Sequence, residues 1–232
     1  APDITSEIEA SILPVLTSKY PSLDYTLEGQ ARETGEVATA AQTVLPVLLL
    51  LIFALILFTF KSFSQSIVLF LIIPFGLIGA AWGHYIHGLG LGILSVLGII
   101  ALVGIIVNDG LVFVTTLNDK LREGTSYYDA VVETGRARFR PVILTTGTTA
   151  VGLAPLIFEE SFQAQFLIPM AVSVAYGLLV ATFLLLALLP LLLITANNLS
   201  RLVHWIWEGE WISHRAAEPA VQEMKWEQEN EE

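Results

Sequence analysis

Residues 91–117 read LGILSVLGIIALVGIIVNDGLVFVTTL, and this stretch decides the fold class of the chain. It is apolar apart from Asn108, Asp109 and a few hydroxyl side chains, and it is long enough to cross a bilayer, which takes about 20 residues. A carboxylate at this depth costs roughly 2.5–3.5 kcal/mol even on the lenient insertion scale, so its default interpretation is functional. The stretch therefore predicts a membrane transport protein, or a part of one, with a protonatable group among its helices.

The composition of the whole chain agrees with that class. The 232 residues are 54% hydrophobic and only 14% charged, with a mean hydropathy of +0.69. A soluble domain of this length needs more charged surface. The net charge of −11 argues against nucleic acid as a partner, and the acidic residues 208–232 are interpreted as a solvated, partly disordered extension. Because cysteine is absent, there is neither a disulfide framework nor a Cys metal site.

Five apolar spans are predicted along the chain. They cover residues 37–60, 66–86, 91–117, 141–158 and 166–194. The segment 118–140 is predicted to be a loop with an interfacial helix, and 195–232 to be a tail. Residues 1–36 change from helical spacing to strand-like alternation at Leu23, Tyr25 and Leu27, which predicts a helix and a strand. The predicted fold class is an all-α transmembrane helical bundle of five spans with a short, incomplete α/β extension at the N-terminus.

The basic residues predict the orientation of these spans. Lys and Arg follow the first, third and fifth spans, whereas the loops near 84–90 and 159–165 contain neither. The positive-inside rule therefore places residues 1–36 outside the cytoplasm, and the 118–140 loop and the C-terminal tail inside it. The tryptophans within 202–212 suit the lipid headgroup zone, where the bilayer is a partner.

Stripes of polar and small residues run along two of the predicted spans. The stripe of the third span contains Gly104, Asn108 and Thr115, with Asp109 beside it. The stripe of the fourth span consists of Thr145, Thr148, Thr149 and Gly152. Such stripes let helices approach closely and hydrogen-bond to one another. They predict a polar seam at the centre of the bundle, in which a carboxyl group can bind and release protons as a relay requires.

These polar residues also have a structural interpretation. Asn108 and Asp109 can simply hold helices together, but for the ionisable Asp109 a functional role is favoured because acids are rare at this depth. For Thr148 and Thr149 the structural role is favoured, with each hydroxyl bonded to a carbonyl of its own helix. The arginines of the 118–140 loop are often only topology anchors.

The remaining motifs predict packing and not catalysis. Gly79 and Gly83 form a GxxxG pair, best interpreted as a close helix–helix contact. His84 and His87 lie near the outer boundary without further ligands, so no metal site is predicted there. The sequence contains no phosphate-binding loop, nucleophile elbow or metalloprotease signature. We therefore predict no enzyme activity, no catalytic residue and no cofactor.

The run GIIVNDGLVFV (104–114), a basic loop and then GRARFRPVILTTGTTAVGLAPL (135–156) resemble the carboxy-terminal half of a resistance-nodulation-division (RND) efflux permease. The resemblance extends from about residue 3 to about residue 196. It implies twelve transmembrane helices in two similar halves with large periplasmic α/β insertions, of which this chain would supply the end of the second insertion (1–36) and the last five helices. It also implies a bacterial inner-membrane location, a homotrimer, a periplasmic adaptor and an outer-membrane channel. The missing N-terminal half would come from the same or a separate chain.

The resemblance further implies roles for individual residues. The family's proton path joins two aspartates on the fourth helix to a polar residue, often lysine, on the tenth and to a threonine on the eleventh. By position these last two sites fall on Asn108 and Thr145, and Arg138 matches an arginine at the cytoplasmic entrance. Because Asn108 departs from the lysine pattern, Asp109 joins it as a candidate partner of the aspartates. The predicted proton relay is thus Asn108, Asp109, Thr145 and Arg138.

The function that the resemblance implies is proton-driven export of hydrophobic or amphiphilic compounds, of the kind that gives multidrug resistance. Two alternatives stay open from the sequence. One is an auxiliary subunit of protein translocation that uses the proton-motive force. The other is a non-transporting assembly or sensor subunit, in which Asp109 has no ionisable partner.

Overall fold

The computed structural model describes residues 7–20 and 46–231, and the chain divides into two compact units, Ala1–Leu49 and Leu50–Glu232. In the first unit, one π-helical turn, Ile8–Ile12, leads into helix α1, Leu13–Lys19. Pro14 stands in the first turn of α1, where its missing N–H is not needed. The strand predicted at Leu23, Tyr25 and Leu27 lies outside the described residues, and the described ranges contain no strand.

The second unit is a bundle of helices. In chain order the helices that follow α1 are α2 (Pro46–Phe60), α3 (Phe63–His87), α4 (Ile93–Arg122), α5 (Tyr127–Ile157), α6 (Phe162–Gln165), α7 (Ile168–Glu208) and α8 (Pro219–Glu231). The α3 helix starts where the Ser62 hydroxyl accepts a hydrogen bond from the Gln65 amide at 3.2 Å. It ends at Gly88, whose φ of 62° is the left-handed conformation that glycine adopts without strain.

Helix α7 lies at the centre of the bundle and packs along α3, α4 and α5. The contact between α3 and α7 confirms the packing role that was predicted for Gly79 and Gly83. A Cβ added at Gly79 would lie 2.5 Å from the Tyr176 carbonyl oxygen, and one at Gly83 would lie 2.7 Å from the Tyr176 side chain. Only hydrogen at these two positions lets the backbones of α3 and α7 come this close.

Three of the helices in the described part of the chain are long and apolar enough to span a membrane: Phe63–His87, Ile93–Arg122 and Ile168–Glu208. A membrane helical bundle is thus supported, but only for three of the five predicted spans. The described apolar helix at the first predicted span, Pro46–Phe60, is shorter. The predicted span 141–158 falls in the second half of α5, where four threonines lower the hydropathy. Those two spans stay predictions.

The segment 118–140 differs from its predicted form. Residues 118–122 continue α4, and the chain turns at Gly124, whose φ is 99°. Helix α5 then starts behind Ser126, which accepts a hydrogen bond from the Asp129 amide at 3.4 Å. It runs without interruption through the arginines into the apolar half. There is consequently one long helix where a separate interfacial helix was predicted.

The segment 208–232, predicted to be a solvated, partly disordered extension, contains a helix and a few buried residues in its described part. Helix α7 continues to Glu208, the chain reverses at Gly209 with a φ of 75°, and α8 follows. Glu218, Ala220 and Val221 are buried, with Val221 only 2% exposed. The acidic composition predicted a solvated segment, whereas Glu218 is buried and bonded to Gln65 and Asn197.

Candidate functional site

A pocket of about 390 Å³ opens between α4, α5 and α7. Its lining residues come mostly from the two predicted stripes: Ala101, Gly104, Ile105, Asn108, Asp109, Thr145, Thr146, Thr149 and Leu178. Helix periodicity explains the grouping, since residues at i, i+4 and i+5 project towards the same side of a helix. The pocket therefore gathers an amide, a carboxyl group and several hydroxyls against an otherwise apolar wall.

The predicted relay residues Asn108, Asp109 and Thr145 all line this pocket. Asp109 is half-buried, whereas Asn108 and Thr145 are exposed within this chain. The Thr145 hydroxyl donates to the Pro141 carbonyl at 2.5 Å. Its lone pairs remain free to accept a proton or a hydrogen bond from a group in the pocket.

Arg138, the fourth predicted relay residue, does not line the pocket. Its Nε and Nη2 atoms both donate to the Thr116 hydroxyl oxygen, at 3.0 and 2.5 Å. Thr116 stands seven residues after Asp109 on α4, about 10 Å along the axis at 1.5 Å per residue. The structure thus brings three of the four predicted residues together and holds Arg138 two turns away.

Thr146 is a pocket residue that the sequence reasoning missed. It is 4% exposed and shares a hydrogen bond of 2.5 Å with the hydroxyl of Thr182 on α7. The signal in the sequence was Thr182 itself, a hydroxyl that interrupts a long apolar run. A buried hydroxyl is costly unless it is hydrogen-bonded, and for Thr146 the partner lies across the helix interface.

The small-residue faces of α4 and α5 are open in this chain. A Cβ added at Gly104 or at Gly152 would meet no atom of the described residues within 4 Å. The Thr148 hydroxyl on the same face of α5 donates to the carbonyls of Leu144 and Thr145, at 2.9 and 3.0 Å. That matches the structural role favoured for Thr148, and it leaves the open face lined by small and hydroxyl side chains.

Comparison with known proteins places this architecture in a family. Residues 1–197 match the family model described as the AcrB/AcrD/AcrF family. The chain is 33% identical over 167 residues to the cobalt-zinc-cadmium resistance protein CzcA of Cupriavidus metallidurans, covering 72% of this chain and 16% of CzcA. It is 34% identical to Protein HelA of Legionella pneumophila, covering 71% of this chain and 16% of HelA.

A more distant relative and a solved structure support the same family assignment. Identity to the toluene efflux pump membrane transporter TtgB of Pseudomonas putida is 23% over 195 residues, covering 84% of this chain and 19% of TtgB. The crystal structure of a heavy metal efflux pump superposes with a TM-score of 0.68 at 25% identity, covering 84% of this chain and 20% of that one. The chain thus spans about a fifth or less of the length of these relatives. It belongs to the AcrB/AcrD/AcrF family of resistance-nodulation-division permeases.

Proposed function

We propose that this chain forms the part of a proton-driven RND exporter that exchanges protons at Asp109. The observation that supports the proposal is the juxtaposition of Asn108, Asp109 and Thr145 around one pocket between apolar helices. An ionisable side chain at this depth is expensive and is expected to face a polar interior or a partner. Protonation removes its charge and so changes its attraction to a group in a neighbouring helix, which biases a two-state rearrangement.

The partner of Asp109 is proposed to come from the part of the permease outside this chain. The face that bears Gly104 and Gly152 has room for a further helix, and the polar side chains beside it favour such a helix over lipid. On the resemblance to RND permeases, we also propose four partners of this chain: the missing half of the permease, the other copies in a trimer, a periplasmic adaptor and an outer-membrane channel. Arg138, bonded to Thr116, is proposed to assist proton entry or release at a distance from the pocket.

The proposed orientation rests on the basic residues. Lys61 and Arg122, at neighbouring ends of α3 and α4, both pair with Glu223, so these two helix ends lie on the same side. The turn between α3 and α4, residues 88–92, contains no Lys or Arg. The positive-inside rule then assigns the end with Lys61 and Arg122 to the cytoplasm of a bacterial inner membrane, and residues 1–36 to the periplasm.

Two classes of cargo are proposed. Hydrophobic or amphiphilic compounds are one class, in line with the toluene pump TtgB. Heavy-metal cations are the other, and the higher identity to a cobalt-zinc-cadmium resistance protein favours them. A test compares export of Co²⁺, Zn²⁺ and Cd²⁺ with export of toluene by cells that carry the complete transporter and lack their own pumps.

The relay is tested by replacing Asp109 in the complete transporter reconstituted into vesicles. Asp109→Asn preserves the volume and removes the ionisable group, so substrate-dependent proton flux is expected to be lost. Thr115→Val is the control, because Thr115 does not line the pocket and, within the described residues, its hydroxyl bonds the Leu111 carbonyl of its own helix at 2.8 Å. Undiminished proton-coupled transport by a fully inserted Asp109→Asn variant would reject the relay, and loss in both variants would mean general damage.

A further inference from the structure

Residues 209–231, here named the C-terminal strap, fold back on the bundle beyond the region that matches the family model. That match ends at residue 197. The strap reverses at Gly209 and ends with α8, which packs against α4. It contacts Lys61, Arg122 and Arg201, and the end of the bundle at which these residues lie is here named the basic end.

Glu218 of the strap connects two helices directly and a third through its partner. Its carboxylate accepts hydrogen bonds from Gln65 Nε2 on α3 at 2.8 Å and from Asn197 Nδ2 on α7 at 2.5 Å. The Gln65 amide in turn pairs with Asn118 on α4 through two hydrogen bonds, of 2.9 and 3.1 Å. All four side chains are at least nine-tenths buried. One carboxylate therefore fixes the relative positions of α3, α4 and α7.

Further contacts hold the strap on both sides of Glu218. Arg215 donates to the Leu121 carbonyl on α4 at 2.9 Å. The Glu223 carboxylate pairs with Lys61 and, at 3.1 Å, with Arg122. Val221 joins the main hydrophobic core of the bundle. These exposed ion pairs contribute little by themselves, whereas loss of Glu218 would leave buried amide donors unsatisfied, which is far more costly.

We propose that the C-terminal strap is a latch that holds the basic ends of α3, α4 and α7 in one arrangement, with Glu218 as the group on which closure depends. Helix α4 also carries Asn108 and Asp109, so a closed latch restrains the helix that lines the pocket. Its effect on transport rests on the proposed function, whereas the closure itself does not. Latch opening is therefore measured without any transported substrate.

The test uses cysteine accessibility, for which this chain offers a background free of cysteine. Val221→Cys reports opening because Val221 is the strap residue that is buried against the core of the bundle, and Lys225→Cys on the same helix is an exposed control. The intact protein, with any cysteine outside this chain replaced by serine, is solubilised in detergent micelles and treated with a polar maleimide, so that the strap is accessible whichever side of the membrane it occupies. In a Glu218→Ala background the Val221→Cys labelling rate is expected to rise about tenfold, and that of Lys225→Cys to stay unchanged.

A third site distinguishes a latch from general unfolding. Ala181→Cys lies in the core of α7, where Ala181 is 1% exposed, and it is expected to stay unlabelled when the latch opens. Glu218→Gln is the milder variant, since it retains one carbonyl acceptor and the volume, and it is judged by the same criterion if Glu218→Ala loses the fold. An unchanged Val221→Cys rate would overturn the proposal. Equal labelling of Val221→Cys and Ala181→Cys in both the Glu218→Ala and the Glu218→Gln background would also overturn it, because the strap would then open only when the core unfolds.

Discussion

At the scale of single residues, the hydrogen bond between Thr146 and Thr182 ties α5 to α7 beside the pocket. Both side chains are 4% exposed, so neither hydroxyl has access to water as an alternative partner. Hydrogen bonds between membrane helices are worth about 0.6 kcal/mol on average in double-mutant cycles, because the separated helices also find partners. The contact is therefore expected to position the pocket wall more than to stabilise the fold.

We predict a coupling free energy of about 0.6 kcal/mol between Thr146→Val and Thr182→Val. Each single variant leaves one buried hydroxyl without its partner, whereas the double variant removes both polar groups at once. The measurement is the free energy of unfolding of the four proteins in a mixed-micelle titration. Additive effects of the two substitutions would contradict the hydrogen bond.

The periodicity of single helices predicts most of the polar pocket residues, but it does not predict contacts that depend on a second helix. Asn108, Asp109 and Thr145 stand out as polar residues on apolar helix faces, and the resemblance to RND permeases marks Asn108 and Thr145 as relay positions. The buried position of Thr146 depends on Thr182, 36 residues later. Arg138 was grouped with the relay through family resemblance, although its nearest hydroxyl partner is Thr116.

At the scale of helices, the close contact of α3 with α7 depends on Gly79. A methyl group there would lie 2.5 Å from the Tyr176 carbonyl oxygen and 2.9 Å from the Gly177 Cα. Both are backbone atoms, so no side-chain rotation can relieve the clash. The two helices would have to separate.

We predict that Gly79→Ala lowers the free energy of unfolding by about 1–3 kcal/mol, the usual cost of overpacking. The matched control is Gly135→Ala in α5, since a Cβ at Gly135 meets no described atom within 4 Å. That control is expected to be neutral or to stabilise the protein by up to about 1 kcal/mol through helix propensity. Equal effects of the two substitutions in a thermal-unfolding measurement would contradict the packing account.

At the scale of the whole molecule, burial raises the pKa of Glu218, although the Asn197, Gln65 and Tyr127 side chains partly oppose this by hydrogen bonding. The closed latch then binds the Glu218 proton more tightly than an open, solvated strap does. Raising the pH from the ordinary glutamate pKa through the raised one therefore favours opening. Tyr127 faces Glu218 from α5, and its own pKa is raised by burial, so it stays neutral over this range.

We predict that the labelling rate of Val221→Cys, divided by that of Lys225→Cys, rises with pH in this window. The ratio cancels the common effect of pH on thiol reactivity. His214 has its pKa lowered by burial and by Arg201, so its protonation favours opening at low pH, which is the opposite sign. Glu218→Gln removes the contribution of Glu218 and keeps that of His214. The difference in the labelling-rate ratio between parent and variant, followed with pH, therefore isolates the contribution of Glu218. A difference that falls or stays flat with rising pH would contradict the assignment.

The membrane helical bundle followed from composition and span length, whereas the C-terminal strap did not. Its acidic sequence is typical of solvated tails. Glu218 is buried only because Gln65 and Asn197, which lie 153 and 21 residues away, supply hydrogen bonds. The sequence left open where the short fourth span begins, within the arginine-rich segment or after it, and α5 begins before the arginines, at Tyr127.

Helix α7 has 41 residues and is therefore about 60 Å long at 1.5 Å per residue. The acyl layer of a bilayer is only about 30 Å thick, so a rod of this length reaches well beyond it. Its first third lies against the pocket through Leu178, and its far part carries Asn197 and Arg201. If α7 tilts by a small angle at the pocket, the displacement of its axis increases with distance from the pocket. The hydrogen bonds of Asn197 and Arg201 would then be strained before those nearer the pocket.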